Sequence, residues 1–211
     1  MKQSLLGMAL LLVSIVAGFS ADAGSVMFAS SDSNSDSSPD SAFRRGQWEV
    51  GVCSGALFSP IISRPNRNAV NFSLTEVQLG YMLTNPNHGG WYRGNFELLG
   101  GLFCGTPFTG RGSYIGGGTI WLRYNFLPVN WPIKPYAQIG AGSELTDFDH
   151  RMLGQDFNFN VDGALGLRYL IGNRCSVNLE YRYEHYSDAY LTKRNRGINA
   201  QGIMLGISWL L

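Results

Sequence analysis

The sequence predicts an all-β protein: an eight-stranded antiparallel transmembrane β-barrel of the outer-membrane type. Three observations carry that prediction. Only 15% of the 211 residues are charged, against roughly 25% in an average soluble domain. After the first twenty or so residues no apolar run is long enough for a membrane helix, which excludes a helical bundle. From Gln47 to the C-terminus the chain repeats segments that alternate apolar and polar side chains, separated by turn residues. Lys and Arg total 16 against 15 Asp and Glu, a net charge of +1 that offers no basic face to nucleic acid.

The N-terminus reads as an export signal. Lys2 precedes an apolar run from Leu5 to Phe19, and Ala21-Asp22-Ala23 fits a small-x-small cleavage site. Residues 1–23 are therefore expected to be a cleaved signal peptide, with no lipobox cysteine after it. Residues 24–42 are rich in Ser and Asp and hold too few apolar side chains to bury, so they read as a disordered leader. The barrel is expected over 43–211. Cys53, Cys104 and Cys175 are an odd number with no CxxC spacing, which predicts neither a disulfide framework nor a metal site. They read as small apolar side chains.

Strands are expected near 47–58, 70–84, 91–104, 113–126, 134–146, 156–171, 175–187 and 199–211. In the third, Phe96, Leu98 and Leu102 oppose Arg93, Asn95 and Glu97. In the fourth, Ile120, Leu122, Tyr124 and Phe126 oppose Thr119, Trp121, Arg123 and Asn125. In the sixth, Phe157, Phe159, Val161, Leu165, Leu167, Tyr169 and Ile171 oppose Asn158, Asn160, Asp162 and Arg168. Charges recur on the polar parity of most strands, among them Glu180, Arg182 and Glu184, which read as ion pairs.

A soluble sandwich would put the apolar face inside; a membrane barrel turns it to lipid and fills the lumen with the polar face. Strand length favours the barrel, since a tilted membrane strand needs about 9–11 residues. An even strand number and closure leave no exposed edge. Aromatics at strand ends (Trp91, Tyr92, Tyr124, Phe126, Trp131 and Trp209) match interface girdles. Eight strands enclose a lumen that side chains fill, so no pore is expected. The connections Asn85–Gly90, Leu127–Ile133 and Gly172–Arg174 are mostly shorter than Ser59–Ala69, Gly105–Gly112, Thr146–Gln155 and Asp188–Ile198. Short turns belong on the periplasmic side, so the N-terminus starts there and strand seven runs outward.

Strand seven carries the chemistry. Its lipid-facing parity, Val177, Leu179, Tyr181 and Tyr183, continues into His185 and Ser187. Polar groups facing hydrocarbon are costly, which makes a functional role the default reading. An i, i+2 pair projects from one face about 7 Å apart, close enough for a rotamer change to bring imidazole to hydroxyl. The pair suits acyl transfer: His removes the proton as Ser attacks an ester carbonyl. A third group should orient the imidazole, and Asn199 lies on the same face of the neighbouring strand. The site faces the outer leaflet, where lipopolysaccharide is the abundant ester-bearing lipid.

His185-Tyr186-Ser187-Asp188-Ala189 followed by Asn195-Arg196-Gly197-Ile198-Asn199 resembles the signature of the lipid A 3-O-deacylase (PagL) family, outer-membrane serine esterases built on an eight-stranded barrel. The resemblance implies His185 as general base and Ser187 as nucleophile. It implies hydrolysis of the ester-linked 3-hydroxyacyl chain at position 3 of lipid A, with no cofactor and no metal. Two residues depart from the pattern. Asn199 stands where the best-known members have Glu; its side-chain oxygen accepts the imidazole N–H but supplies no negative charge. Asp188 stands where the family usually has Asn near the oxyanion, and an ionised carboxylate donates no hydrogen bond. Two readings stay open: backbone N–H groups of Asp188 or Ala189 serve as donors, or Asp188 curls round to support His185.

Lys193, Arg194 and Arg196 form a basic cluster beside the site, either a solvated face or a seat for the lipid A phosphates. The expected partner is lipid A or lipopolysaccharide in the outer leaflet, met by a membrane-embedded monomer or homodimer. The class-distinct alternative is a non-catalytic barrel with a structural or adhesive role. A lumenal transacylase would need a polar site on the opposite parity, away from which His185 and Ser187 point.

Overall fold

The computed structural model describes residues 40–59, 70–148, 150–172, 174–193 and 195–211. The expected signal peptide and most of the expected leader lie outside them, as does Arg194. Eight strands follow in order: β1 (Trp48–Phe58), β2 (Asn71–Met82), β3 (Gly94–Thr109), β4 (Ile115–Phe126), β5 (Ile133–Thr146), β6 (Phe157–Ile171), β7 (Cys175–Ser187) and β8 (Ile198–Leu210). Each pairs antiparallel with the next, and β1 pairs with β8 to close the barrel.

Closure satisfies every strand edge, so the residue alternation alone decides which face meets what. The outward parity of β6 and β7 exposes Phe157, Phe159, Val161, Leu165, Leu167, Val177, Leu179, Tyr181 and Tyr183. The inward parity buries charge. Arg123 reaches Glu49 at 3.3 Å and Glu97 at 3.4 Å, and Arg168 holds the same Glu49 at 2.8 Å. Arg182 binds Glu76 at 2.7 Å, Glu180 at 2.6 Å and Glu184 at 3.5 Å. The expected ion pairing of Glu180, Arg182 and Glu184 is thus present. Such a polar interior inside an apolar wall suits lipid rather than water outside, and the protein is an outer-membrane barrel.

Arg182 is the only cation among the described residues bonded to three of these carboxylates. Removing one partner of a buried ion pair costs about 3–5 kcal/mol. Arg182→Ala is therefore expected to lower the temperature or denaturant midpoint at which the folded, fast-migrating band converts in heat-modifiable electrophoresis. An unchanged midpoint would mean the carboxylates are held without it.

Apolar clusters close both ends of the lumen. At the end expected to face the periplasm a 3₁₀ turn, Ser41–Phe43, buries Phe43 against Met82, Leu127, Leu170 and Leu210. Asp40 anchors that turn through Arg93 at 2.7 Å and Lys134 at 3.1 Å. Asp40, Ser41 and Ala42, expected in the leader, therefore belong to the barrel mouth: one buried aromatic and two ion pairs order them. At the outward end, Phe148, Met152 and Leu153 of the β5–β6 connection pack onto Phe72, Tyr186 and Ile198. A short helix, α1 (His150–Leu153), carries two of those side chains into the mouth.

Three sequence expectations shift. Residues 91 and 92, placed at the start of strand three, belong to a 3₁₀ turn over Gly90–Tyr92, and β3 begins at Gly94. Gly105 to Thr109, expected as loop, continue β3 and pair with β2, where Pro107 faces Phe72. Proline is tolerated there because the β3–β4 ladder ends at Gly105↔Ile115, leaving no partner on that side. The β3–β4 connection is consequently short and the β2–β3 connection long, against the expected order. The cysteines are unbridged, but Cys53 is not merely apolar: its Sγ accepts from Arg182 at 3.6 Å and its thiol donates to Glu76 at 3.8 Å.

Candidate functional site

Register brings the expected residues together. His185 on β7 is directly opposite Asn199 on β8, and Val161 on β6 flanks it on the other side. Ser187 is the last residue of β7 and pairs with Phe159. His185, Ser187 and Asn199 are each half-buried on the outward face, while Glu184, Tyr186 and Ala200 between them turn inward and are buried. His185 Nδ1 and Asn199 Oδ1 lie 2.5 Å apart. With the amide oxygen as acceptor, Nδ1 carries the proton and the Nε2 lone pair is left to accept another.

Ser187 Oγ accepts a hydrogen bond from the Ala189 N–H at 3.3 Å. Among the described residues it has no hydrogen bond to His185.

The segment after Ser187 is a tight turn. Asp188 C=O accepts from Leu191 N–H at 3.0 Å, and Ala189 and Tyr190 have φ of 53° and 64°. Positive φ at both central positions is the signature of a type I′ turn, an uncommon conformation for a residue as large as tyrosine. The Asp188 carboxylate, fully buried, holds it there: it accepts from Tyr190 N–H at 2.9 Å, from Thr192 N–H at 3.0 Å and from the Thr192 hydroxyl. Asp188 therefore does not curl round to His185. Its parity is the inward one, and its hydrogen bonds organise the turn that carries the Ala189 N–H.

Lys193 and Arg196 are exposed at the outward end beside this turn. The Arg196 backbone is tied down, since its N–H and that of Gly197 both donate to Met152 C=O, at 2.8 and 3.2 Å. Below the site the outer wall is grooved. A cavity of about 490 Å³ is lined by Leu122, Ala137, Ile139, Gly163, Leu165, Tyr181 and Tyr183, among others. It starts two residue pairs below His185, at Gly163↔Tyr183, the next pair on the same face. A side-chain carbon added at Gly163 would meet nothing within 4 Å, so the missing side chain is what opens the groove. The sequence held one sign of it: Gly163 interrupts the apolar parity of β6 between Val161 and Leu165. The Met152 anchor had no sequence sign, because it is a backbone carbonyl.

A family model described as lipid A 3-O-deacylase (PagL) matches residues 74–208. Among solved structures, the outer-membrane enzyme PagL is similar with a TM-score of 0.54 and 19% identity, over 75% of this chain and 97% of that one. Neisserial surface protein A is similar with a TM-score of 0.55 and 13% identity, over 78% of this chain and 96% of that one. At these identities structural likeness speaks for the fold alone, since one barrel hosts many functions. No curated protein matches the chain in sequence.

Proposed function

Because the chain belongs to the lipid A 3-O-deacylase (PagL) family, we propose that it hydrolyses the ester at the 3-O position of lipid A, releasing a 3-hydroxy fatty acid, with Ser187 as nucleophile and His185 as general base. The family makes it an ester hydrolase acting on lipid A; the bond and the residues are the proposal. The observation that carries them is the His185–Asn199 hydrogen bond of 2.5 Å on the lipid-facing wall, two residues from Ser187.

Ser187 Oγ attacks the acyl carbonyl while His185 Nε2 takes its proton, and the carbonyl oxygen becomes an oxyanion. The Ala189 N–H, bonded to Ser187 Oγ before attack, donates to that oxyanion from its fixed place in the turn once Oγ has moved to the carbonyl carbon; the Asp188 N–H is the second donor. A fixed turn suits this task, because donors that need no reorganisation stabilise developing charge best. Imidazolium then protonates the departing sugar oxygen, leaving an acyl-Ser187 ester. Water, deprotonated by His185, attacks that ester, and collapse returns the proton to Ser187 and releases the fatty acid. Asn199 keeps Nδ1–H aligned throughout. Lys193 and Arg196, both exposed, take the phosphates of lipid A at headgroup level in this reading.

Lipid A from an outer-membrane-competent host expressing this chain is expected to lose the mass of one 3-hydroxyacyl chain, read by mass spectrometry. Intact lipid A beside a correctly inserted barrel would overturn the reading. The groove makes a second, independent prediction. Gly163→Leu places a branched side chain where the groove opens, so the preference for long over short acyl esters should fall roughly tenfold. Competition between esters of two chain lengths reads that ratio, and an unchanged ratio separates the groove from the acyl chain.

A further inference from the structure

We propose that Gly197, braced by the β5–β6 connection, is a positioning residue for the imidazole of His185. The inference rests on the reading of His185 as general base and adds to it a steric stop against the edge of its ring.

Gly197 is buried, has φ of 65°, and lies just before β8. A methyl group built on it would come 2.9 Å from His185 Cε1, 3.6 Å from Nε2 and 3.2 Å from the Tyr186 carbonyl oxygen. The glycine backbone thus lies directly against the ring edge between its two nitrogens. The ring has little room to yield. Nδ1 is held 2.5 Å from Asn199 Oδ1, and the His185 backbone is paired on both sides, to Val161 and Asn199. A retreat of the ring would lengthen the Asn199 bond or swing Nε2 off the line to Ser187.

Gly197 itself is fixed from behind. Its N–H donates to Met152 C=O at 3.2 Å and to Asn195 Oδ1 at 3.2 Å, and Arg196 N–H shares the Met152 carbonyl at 2.8 Å. Met152 is seated by its buried side chain among Leu153, Phe148, Tyr186 and Ile198. Tyr186 and Ile198 are a directly opposed pair, each adjacent in sequence to one of His185 and Asn199. The apolar closure of the outward mouth is therefore connected, through one carbonyl and one glycine, to the edge of the imidazole.

Asn199 gives this contact its weight. A neutral amide orients imidazole through a single hydrogen bond, without the charge that a carboxylate would add. Ring orientation must then come in larger part from packing. Misplacing a reacting group by about 1 Å can lower a rate by about 100-fold, which is the scale at stake.

Positive φ alone also favours glycine, so the test must separate backbone from ring contact. Asparagine tolerates the left-handed region where alanine is strained, yet it carries the same Cβ. In Gly197→Ala and Gly197→Asn barrels that migrate as folded, two quantities are measured against the unaltered protein. One is the rate at which a fluorophosphonate probe labels Ser187, and the other is the downfield proton resonance of the His185 Nδ1–H bonded to Asn199. Both variants are expected to label about 10- to 100-fold more slowly, with the resonance shifted or lost and the KM for lipid A little changed. Gly197→Asn that labels at the unaltered rate and keeps the resonance overturns the proposal, because glycine would then serve the backbone only. If Gly197→Ala fails to fold, Gly197→Asn decides alone. If the unaltered protein is not labelled at Ser187, the base-and-nucleophile reading fails, and the resonance by itself decides whether Gly197 holds the ring.

Discussion

Ser187→Ala is expected to leave a folded barrel in the outer membrane and lower release of the hydroxy fatty acid by about four to six orders of magnitude. The fall is so large because the nucleophile, base and orienting residue act as one unit, and the loss of the attacking oxygen removes the covalent route altogether. Folding should be spared. Ser187 ends β7, is half-buried, and among the described residues its side chain accepts only the Ala189 N–H, at 3.3 Å. Heat-modifiable migration checks the barrel and mass spectrometry of lipid A checks the chemistry. Deacylation that survives in the variant would remove Ser187 from the mechanism.

The second large effect concerns Asn199. Asn199→Ala deletes the acceptor 2.5 Å from His185 Nδ1. Losing a hydrogen bond that a part-buried donor needs costs about 1–3 kcal/mol, and at about 1.4 kcal/mol per tenfold this predicts a rate lower by about 5- to 150-fold. Asn199→Glu acts in the opposite direction. A carboxylate accepts the same proton and adds charge that stabilises the imidazolium formed during attack, so the rate should hold or rise by up to about tenfold. Lipid A deacylation rates of the two variants, measured side by side, check both signs. Equal rates in both would assign the orienting role to another residue.

Much of the barrel could be read from period-two alternation, because a closed wall between lipid and a filled lumen imposes opposite chemistry on successive residues. The same parity set His185, Ser187 and Asn199 on the outward face before any register was known. Strand ends were less legible. Gly105, Thr106 and Pro107 carry turn chemistry, yet pairing with Phe72 and Ser73 draws them into β3; a long-range ladder outweighs local propensity there. The closures of the lumen escaped notice for another reason. Phe43, Phe148 and the pair Met152-Leu153 are short apolar interruptions of polar segments, without a periodic signal, and only three-dimensional closure gives them their partners. Asp188 was legible as a departure and illegible in its consequence, since its partners are backbone N–H groups of the turn that follows.

With His185 and Ser187 as the proposed site, opening sideways from the wall, substrate and enzyme would meet within a sheet of lipid rather than in a volume of water. Encounter is then lateral diffusion in two dimensions, and the effective substrate concentration is a mole fraction in the leaflet. Any inert amphiphile that spreads the substrate thinner should slow turnover even when the bulk amount is unchanged. The same geometry makes neighbouring lipids competitors for the groove beside Tyr183, and leaflet composition becomes a control on rate without any change in the protein.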